Sequence, residues 1–292
     1  MEQNNNTIVF QVDSDIVRKQ RCFSNFRIEY APEIQDNICV VYFSSNDIYY
    51  PNTQAAFEYS ILEKDRYEWS NMRVDYASKH IFLRDIFKQW YLGGINQDID
   101  SPQKLYEWLK EETDDYKIET VGSSAGGYAA ILYGVLLGAR KILAFNPQFE
   151  LNSLLETSAM KNPLIFRLKG TSLQSYYDLL PFINKTRNPN IFYFVSQDSH
   201  WDKKQLNHLI NGGNKISVNI IRFKTSHHGI PFPKIALGKV LKSDISELHD
   251  DCIKTYGPIS YSIKKIGLYD TLKGLLMQSV YLLKKKFRQR FQ

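Results

Sequence analysis

Short runs of β-branched and aromatic residues recur along the chain, separated by stretches in which apolar residues return every three or four positions. The runs are TIVFQV, NFRIEYA, NICVVYFSS, HIFLRD, KIETVG, KILAFNP, NIFYFVSQD and ISVNIIRF, and each has the length and composition of a buried strand. Between the later ones lie SPQKLYEWLKEET, AGGYAAILYGVLLGA and DKKQLNHLI, which have helical spacing. A Ser-Pro pair opens the first of these helices, as suits a helix start. From Ile38 onward this alternation predicts an α/β fold with a mostly parallel central sheet flanked by helices, because parallel strands need crossover connections. The opening runs have no helix between them and are expected to form an antiparallel edge. Residues 151–189 interrupt the rhythm for longer than an ordinary connection and are read as a helical cap over a site. The expected organisation is a domain over 1–257 with this cap insertion, then a helical tail over 258–292.

Composition changes little in this picture. Hydrophobic residues make up 43% and charged residues 23% of the 292 positions, near the average for a globular domain and long enough for a substantial core. The formal net charge of +6 is concentrated in the closing LLKKKFRQRFQ, so nucleic acid is not an expected partner. The opening MEQNNNTIVF lacks the pattern of a secretory signal, and apolar stretches such as AAILYGVLLGA fall short of the roughly 18 residues of a spanning helix. Cys22, Cys39 and Cys252 are odd in number and widely spaced, which fits reduced thiols in the cytosol. In the tail, Leu272, Leu276, Val280, Leu283, Phe287 and Phe291 trace one apolar face, with Lys273, Lys284, Lys285 and Arg288 largely off it. Such a helix suits either packing on the body or a second subunit, or peripheral association with an anionic inner leaflet.

The candidate chemistry centres on VGSSAGGYAA. Gly122-Ser123-Ser124-Ala125-Gly126 matches the G-x-S-x-G nucleophile elbow and lies between a predicted strand and a predicted helix, the context that motif needs. A serine hydroxyl needs a base to take its proton and an acid to orient that base, and both are expected after later strands. Asp198, just past NIFYFV, is the expected acid. Asp202 with Gln205 three residues on reads as a capping box. KTSHHGIPFP supplies the base, with His228 preferred and His227 the second choice. The backbone N–H of Ala125 and one from Ser44 or Ser45, with Ser45 preferred, are the expected oxyanion donors. Tyr49, Tyr50 and Trp201 are placed near the same mouth. His80, His200, His208 and His249 show no zinc spacing, so neither a metal nor a bound cofactor is expected.

The segment VGSSAGGYAAILYGVLLGARKILAFNPQ resembles the elbow-to-next-strand block of α/β-hydrolase-fold proteins of bacterial capsule and surface polysaccharide loci, some of which are polysaccharide O-acetyltransferases. The resemblance runs over roughly residues 38–235, includes Asn146-Pro147-Gln148, and points to Ser124, Asp198 and His228. It implies an acyl-transfer enzyme, either an O-acetyltransferase or an esterase, acting on a polysaccharide or another small acyl ester. Acetyl-CoA is the candidate donor if it is a transferase. The competing reading is a non-catalytic adaptor of a glycan-assembly complex that retains the hydrolase fold.

Overall fold

The computed structural model describes residues 11–186, 190–212 and 218–290, with side chains described as far as residue 280. Strands β1 (Phe26–Tyr30), β2 (Ile38–Phe43), β3 (Lys79–Leu83), β4 (Lys117–Ser123), β5 (Lys141–Phe145), β6 (Ile191–Ser196), β7 (Val218–Phe223) and β8 (Thr255–Tyr256) form one sheet. Their order is β1-β3-β2-β4-β5-β6-β7-β8. β1 pairs antiparallel with β3, and the other pairings are parallel. This is the α/β-hydrolase fold, with the expected antiparallel edge. The run TIVFQV lies mostly outside the described residues, and its last two, Gln11 and Val12, lie in a turn. The two-residue β8 is too short to leave a pattern in the sequence.

The helices are α1 (Asp15–Gln20), α2 (Gln54–Phe57), α3 (Pro102–Glu112), α4 (Ala125–Leu136), α5 (Pro163–Leu168), α6 (Leu180–Lys185), α7 (His200–Asn211), α8 (Leu237–Leu241), α9 (Ile245–Asp251) and α10 (Pro258–Arg290). α3 starts where the Ser-Pro pair puts it: the Ser101 hydroxyl accepts from the Lys104 N–H, and Pro102 occupies the first turn, where no N–H is needed. Strands β2, β3, β5 and β6 are buried on both faces, and their side chains alternate between two cores. Cys39, Val41 and Phe43 of β2 join α3, α4, α6 and α7, whereas Val40 and Tyr42 face α8, α9 and the loop around Trp69.

Two segments depart from their expected roles. The insertion after β5 contains α5 and α6, with short 3-10 turns over Asn152–Glu156 and Ser172–Tyr177. Its Leu154, Ile165, Tyr177, Leu180 and Ile183 are built into the core beneath α4. α10 is broken at Gly267, whose φ of 83° and ψ of 165° are not helical. Its first part is not an appendage. Tyr261 is fully buried, and its hydroxyl donates to Asp251 Oδ2 at 2.7 Å. Lys264 and Lys265 close ion pairs on the same buried carboxylate at 2.6 and 2.7 Å. Removing such partners would leave a buried charge uncompensated, at a cost of about 3–5 kcal/mol. Residues from Pro258 therefore serve the stability of the domain.

Candidate active site

β4 delivers its last residue to the carboxyl edge of the sheet, and the chain reverses there into α4. At the reversal Ser124 has φ 53° and ψ −120°, a conformation costly for a residue with a Cβ. The neighbours make the turn sterically feasible. A Cβ on Gly122 would lie 2.0 Å from the Gly126 carbonyl oxygen, and one on Gly126 would lie 2.2 Å from that of Phe43. The Ser124 N–H donates to the Phe145 carbonyl at 2.9 Å, which fixes the elbow to β5. Ala125 opens α4, so its N–H has no acceptor within the helix and is aimed from a helix N-terminus.

The loop after β7 brings His228 to this serine. Its Nε2 lies 2.8 Å from Ser124 Oγ, and its Nδ1 lies 2.8 Å from Asp202 Oδ1. A carboxylate only accepts, so Nδ1 carries the proton and Nε2 is left to accept from the serine hydroxyl. Asp202 is fully buried, and its Oδ2 has no hydrogen-bond partner among the described residues. His228 is thus the hydrogen-bond partner of an otherwise isolated buried carboxylate.

Asp198, the acid expected from the sequence, is not the residue brought to His228. It lies on the exposed side of the loop after β6, its N–H donating to the Thr225 carbonyl at 3.1 Å. The expectation misplaced the start of α7. Ser199, not Asp202, is the cap: its hydroxyl accepts from the Asp202 N–H at 3.3 Å, which places Asp202 inside the first turn. Gln205 takes no part in a capping box either; its Oε1 accepts the N–H groups of Phe149 and Glu150 at 2.7 and 3.0 Å. The Asp202 side chain is therefore free to turn inward. His227, the second-choice base, has its main chain held instead, its carbonyl accepting from Ser196 Oγ at 2.6 Å.

Ser45 also departs from its expected role. Its N–H donates to Glu68 Oε2 at 2.6 Å, and its hydroxyl donates to Glu68 Oε1 at 3.1 Å. The Ser44 N–H donates to the Leu83 carbonyl at 3.0 Å. Neither amide is an open donor in this arrangement, because a carboxylate arriving from a distant loop already engages one and the sheet engages the other. Burial raises the Glu68 carboxyl above the ordinary carboxylate range, against the lowering effect of its bonds to Ser45.

Asn146 has a positioning role that no local pattern announced. It sits just past β5 at φ 43°, and its Nδ2 donates to Ser196 Oγ and to the Gly229 carbonyl, both at 2.8 Å. Its Oδ1 accepts the Ser196 N–H at 2.8 Å. One fully buried amide thus joins the ends of β5 and β6 to the loop that carries His228.

A cavity of about 590 Å³ opens beside Ser124 and His228, with Asn46, Asp47 and Glu68 on one wall and Pro231, Lys234 and Gln278 on another. None of the described residues of the 151–189 insertion lines it, so the expected cap does not cover this cavity. Nor do the three aromatics placed near its mouth. Tyr49 is a core residue whose hydroxyl donates to the Ile86 carbonyl at 2.9 Å, Tyr50 is exposed, and Trp201 packs against the α4 side of the core. Among the described residues no cluster of His, Cys, Asp and Glu could hold a metal ion, and no helix is long and apolar enough to cross a membrane.

No protein-family model and no curated protein matches the sequence. Among solved structures, the chain is similar to the capsule O-acetyltransferase of Neisseria meningitidis serogroup A, at 16% identity over 68% of this chain and 82% of that one, with a TM-score of 0.48. A mutant of that enzyme is solved in complex with CoA. The chain is also similar to the glycosylation-associated protein (Gap123) complex of Streptococcus agalactiae, at 16% identity over 67% of this chain and 39% of that one, with a TM-score of 0.45. A third similarity is to esterase B of Lactobacillus rhamnosis, at 13% identity over 70% and 77% of the two chains, with a TM-score of 0.40.

Proposed function

We propose that the protein is a serine-dependent acyl-transfer enzyme, an O-acetyltransferase or esterase whose acceptor is a hydroxyl of a bacterial surface polysaccharide or water. The observation that carries this reading is the hydrogen-bonded chain from Ser124 through His228 to the buried Asp202. Ser124 Oγ attacks the acyl carbonyl while its proton passes to His228 Nε2, and Asp202 stabilises the imidazolium that results. The oxyanion faces the Ala125 N–H at the α4 terminus. His228 then gives the proton to the leaving group as the bond between it and the acyl carbon breaks. In the second half-reaction His228 takes a proton from the acceptor hydroxyl, which attacks the acyl-serine and regenerates Ser124.

Acetyl-CoA is the proposed donor for the transferase form, in which it is a substrate. The choice of a glycan acceptor rests on the resemblance carried by the elbow-to-strand segment through Asn146-Pro147-Gln148 and on the polar wall of Asn46, Asp47 and Glu68 at the cavity. The test is incubation with acetyl-CoA or a small acetyl ester, with and without candidate capsular polysaccharides, followed by detection of acetylated glycan and of free acetate. Glycan-dependent loss of donor is expected for a transferase and glycan-independent acetate release for an esterase. A protein inert to both and unreactive toward a fluorophosphonate has no activated serine, and the adaptor reading would replace this one.

A site at the membrane surface would suit such an acceptor, and the outer side of α10 favours it. Leu268, Leu272 and Leu276 recur at four-residue spacing and are 58%, 55% and 67% exposed, beside a sequence rich in lysine and arginine. The protein is expected to co-sediment with anionic phosphatidylglycerol vesicles at low salt, with binding reduced about tenfold at high salt as headgroup attraction is screened. A Leu268→Gln/Leu272→Gln/Leu276→Gln variant should lose that binding. Substitution is the better test than truncation at Gly257, which would also remove the buried Tyr261 and the partners of Asp251. Equal, negligible binding by both proteins would discard the membrane role.

A further inference from the structure

A second cavity, of about 560 Å³, lies between the loop around Trp69, the segment 230–238 and the inner side of α10. It shares Glu68, Ile230, Lys234 and Gln278 with the Ser124 cavity, so the two adjoin at a waist formed by those four residues. Beyond the waist its walls are Trp69, Met72, Ile235 and Leu237. The polar handle of Trp69 is already engaged, its indole N–H donating to the Phe43 carbonyl at 2.9 Å, so this wall offers only its hydrocarbon face. The floor includes Gly238, where a Cβ would find nothing within 4 Å. On the far side α10 closes down tightly at Gly274, where a Cβ would lie 2.5 Å from Ile235. The result is a groove that adjoins the Ser124 cavity at Glu68, Ile230, Lys234 and Gln278, is lined by hydrocarbon beyond them, and is walled in part by the C-terminal helix.

From this adjacency we infer that the groove binds the hydrocarbon tail of a medium-length acyl group while its carbonyl sits at Ser124. The inference rests on the acyl-transfer reading and adds to it a donor class longer than acetyl. An acyl chain is the occupant that matches, because the carbon bonded to Ser124 is the acyl carbon, and the tail attached to it leads across the waist into the groove. The acceptor has the other wall, where Asn46 and Asp47 supply polar contacts. Gly238 then acts as the length gauge: it lines the groove, and a Cβ there meets no neighbour within 4 Å, so a larger side chain at this position competes with the tail for that space.

The test compares p-nitrophenyl acetate with p-nitrophenyl octanoate on the intact protein and on Gly238→Ala, Gly238→Leu and Gly238→Phe variants. Each methylene buried in such a groove is worth about fourfold, so the six additional methylenes of the octanoate are expected to favour it on the order of 10³-fold in kcat/KM. Gly238→Phe, with Gly238→Leu as the milder second variant, should remove at least about tenfold of that preference while acetate turnover stays within about twofold. Gly238→Ala should behave as the parent. A length-independent rate, or a preference untouched by Gly238→Leu and Gly238→Phe, would overturn the assignment. Calorimetric titration of the Ser124→Ala protein with 2-decanone, a neutral chain with a carbonyl near one end, tests the groove without chemistry. Saturable binding weakened at least tenfold by the added Gly238→Phe supports the groove even if no ester is turned over, a result that would sink only the acyl-transfer reading. No saturable binding of 2-decanone, with esters turned over regardless of length, removes the groove and leaves that reading standing.

Discussion

Ser124→Ala is expected to lower ester turnover by about 10⁵- to 10⁶-fold while the protein keeps its fold and melting temperature to within a few degrees. The hydroxyl is placed for chemistry: it lies on the cavity side of the elbow, and its contact to another side chain is the 2.8 Å bond to His228. Alanine keeps a Cβ at φ 53° and so inherits the same backbone strain, which means that loss of the hydroxyl is what the experiment reads. Fluorophosphonate labelling gives an independent readout. The parent should be modified stoichiometrically at Ser124, and Ser124→Ala should not react at all. Ser123→Ala, one residue away at the same cavity, should retain turnover to within about threefold, since the bond to His228 belongs to Ser124. Turnover surviving in the Ser124→Ala protein would end the serine mechanism.

What could be read from the sequence, and what could not, follows from how far each signal travels along the chain. The elbow is local: a serine flanked by Gly122 and Gly126 after a β-rich run states its own steric requirement, and the close approaches to the Gly126 and Phe43 carbonyls are that requirement in space. The sheet was legible for the same reason, because central runs such as Ile38–Phe43 and Ile191–Ser196 are buried on both faces and almost wholly apolar. The amide of Ser45 was misjudged because its acceptor, Glu68, stands 23 residues away in a loop whose path no periodicity describes. Of the two roles open to the tail, its first part takes packing on the body, because Tyr261 and Lys265 are drawn in by Asp251, a carboxylate on the preceding helix that the spacing of apolar residues does not reveal.

The exchange of Asp198 for Asp202 as the acid is the sharpest consequence of the structure, and it predicts opposite effects for two aspartates four residues apart. Both lie just after β6, and only the position of the helix cap separates them. With Ser199 capping α7, Asp202 falls one turn in, on the side of the helix that faces the sheet edge, and is buried. Asp202→Asn preserves the shape, but an amide can offer an N–H to the imidazole and favour the wrong tautomer, in which Nε2 carries the proton and cannot accept from Ser124. Turnover at neutral pH is expected to fall by about 10³- to 10⁴-fold, and His228→Ala should fall at least as far. Asp198→Asn should change it by no more than about twofold, since that carboxylate is exposed and its N–H bond to Thr225 is untouched. His227→Ala should likewise be mild, because its loop is held through the main chain by Ser196 and Asn146. Kinetics of the four variants on one acetyl ester would decide, with circular dichroism to confirm that Asp202→Asn remains folded. An Asp198→Asn protein as damaged as Asp202→Asn is predicted to be, with Asp202→Asn active, would return the acid to the loop and place the 2.8 Å bond between His228 and Asp202 outside the catalytic arrangement.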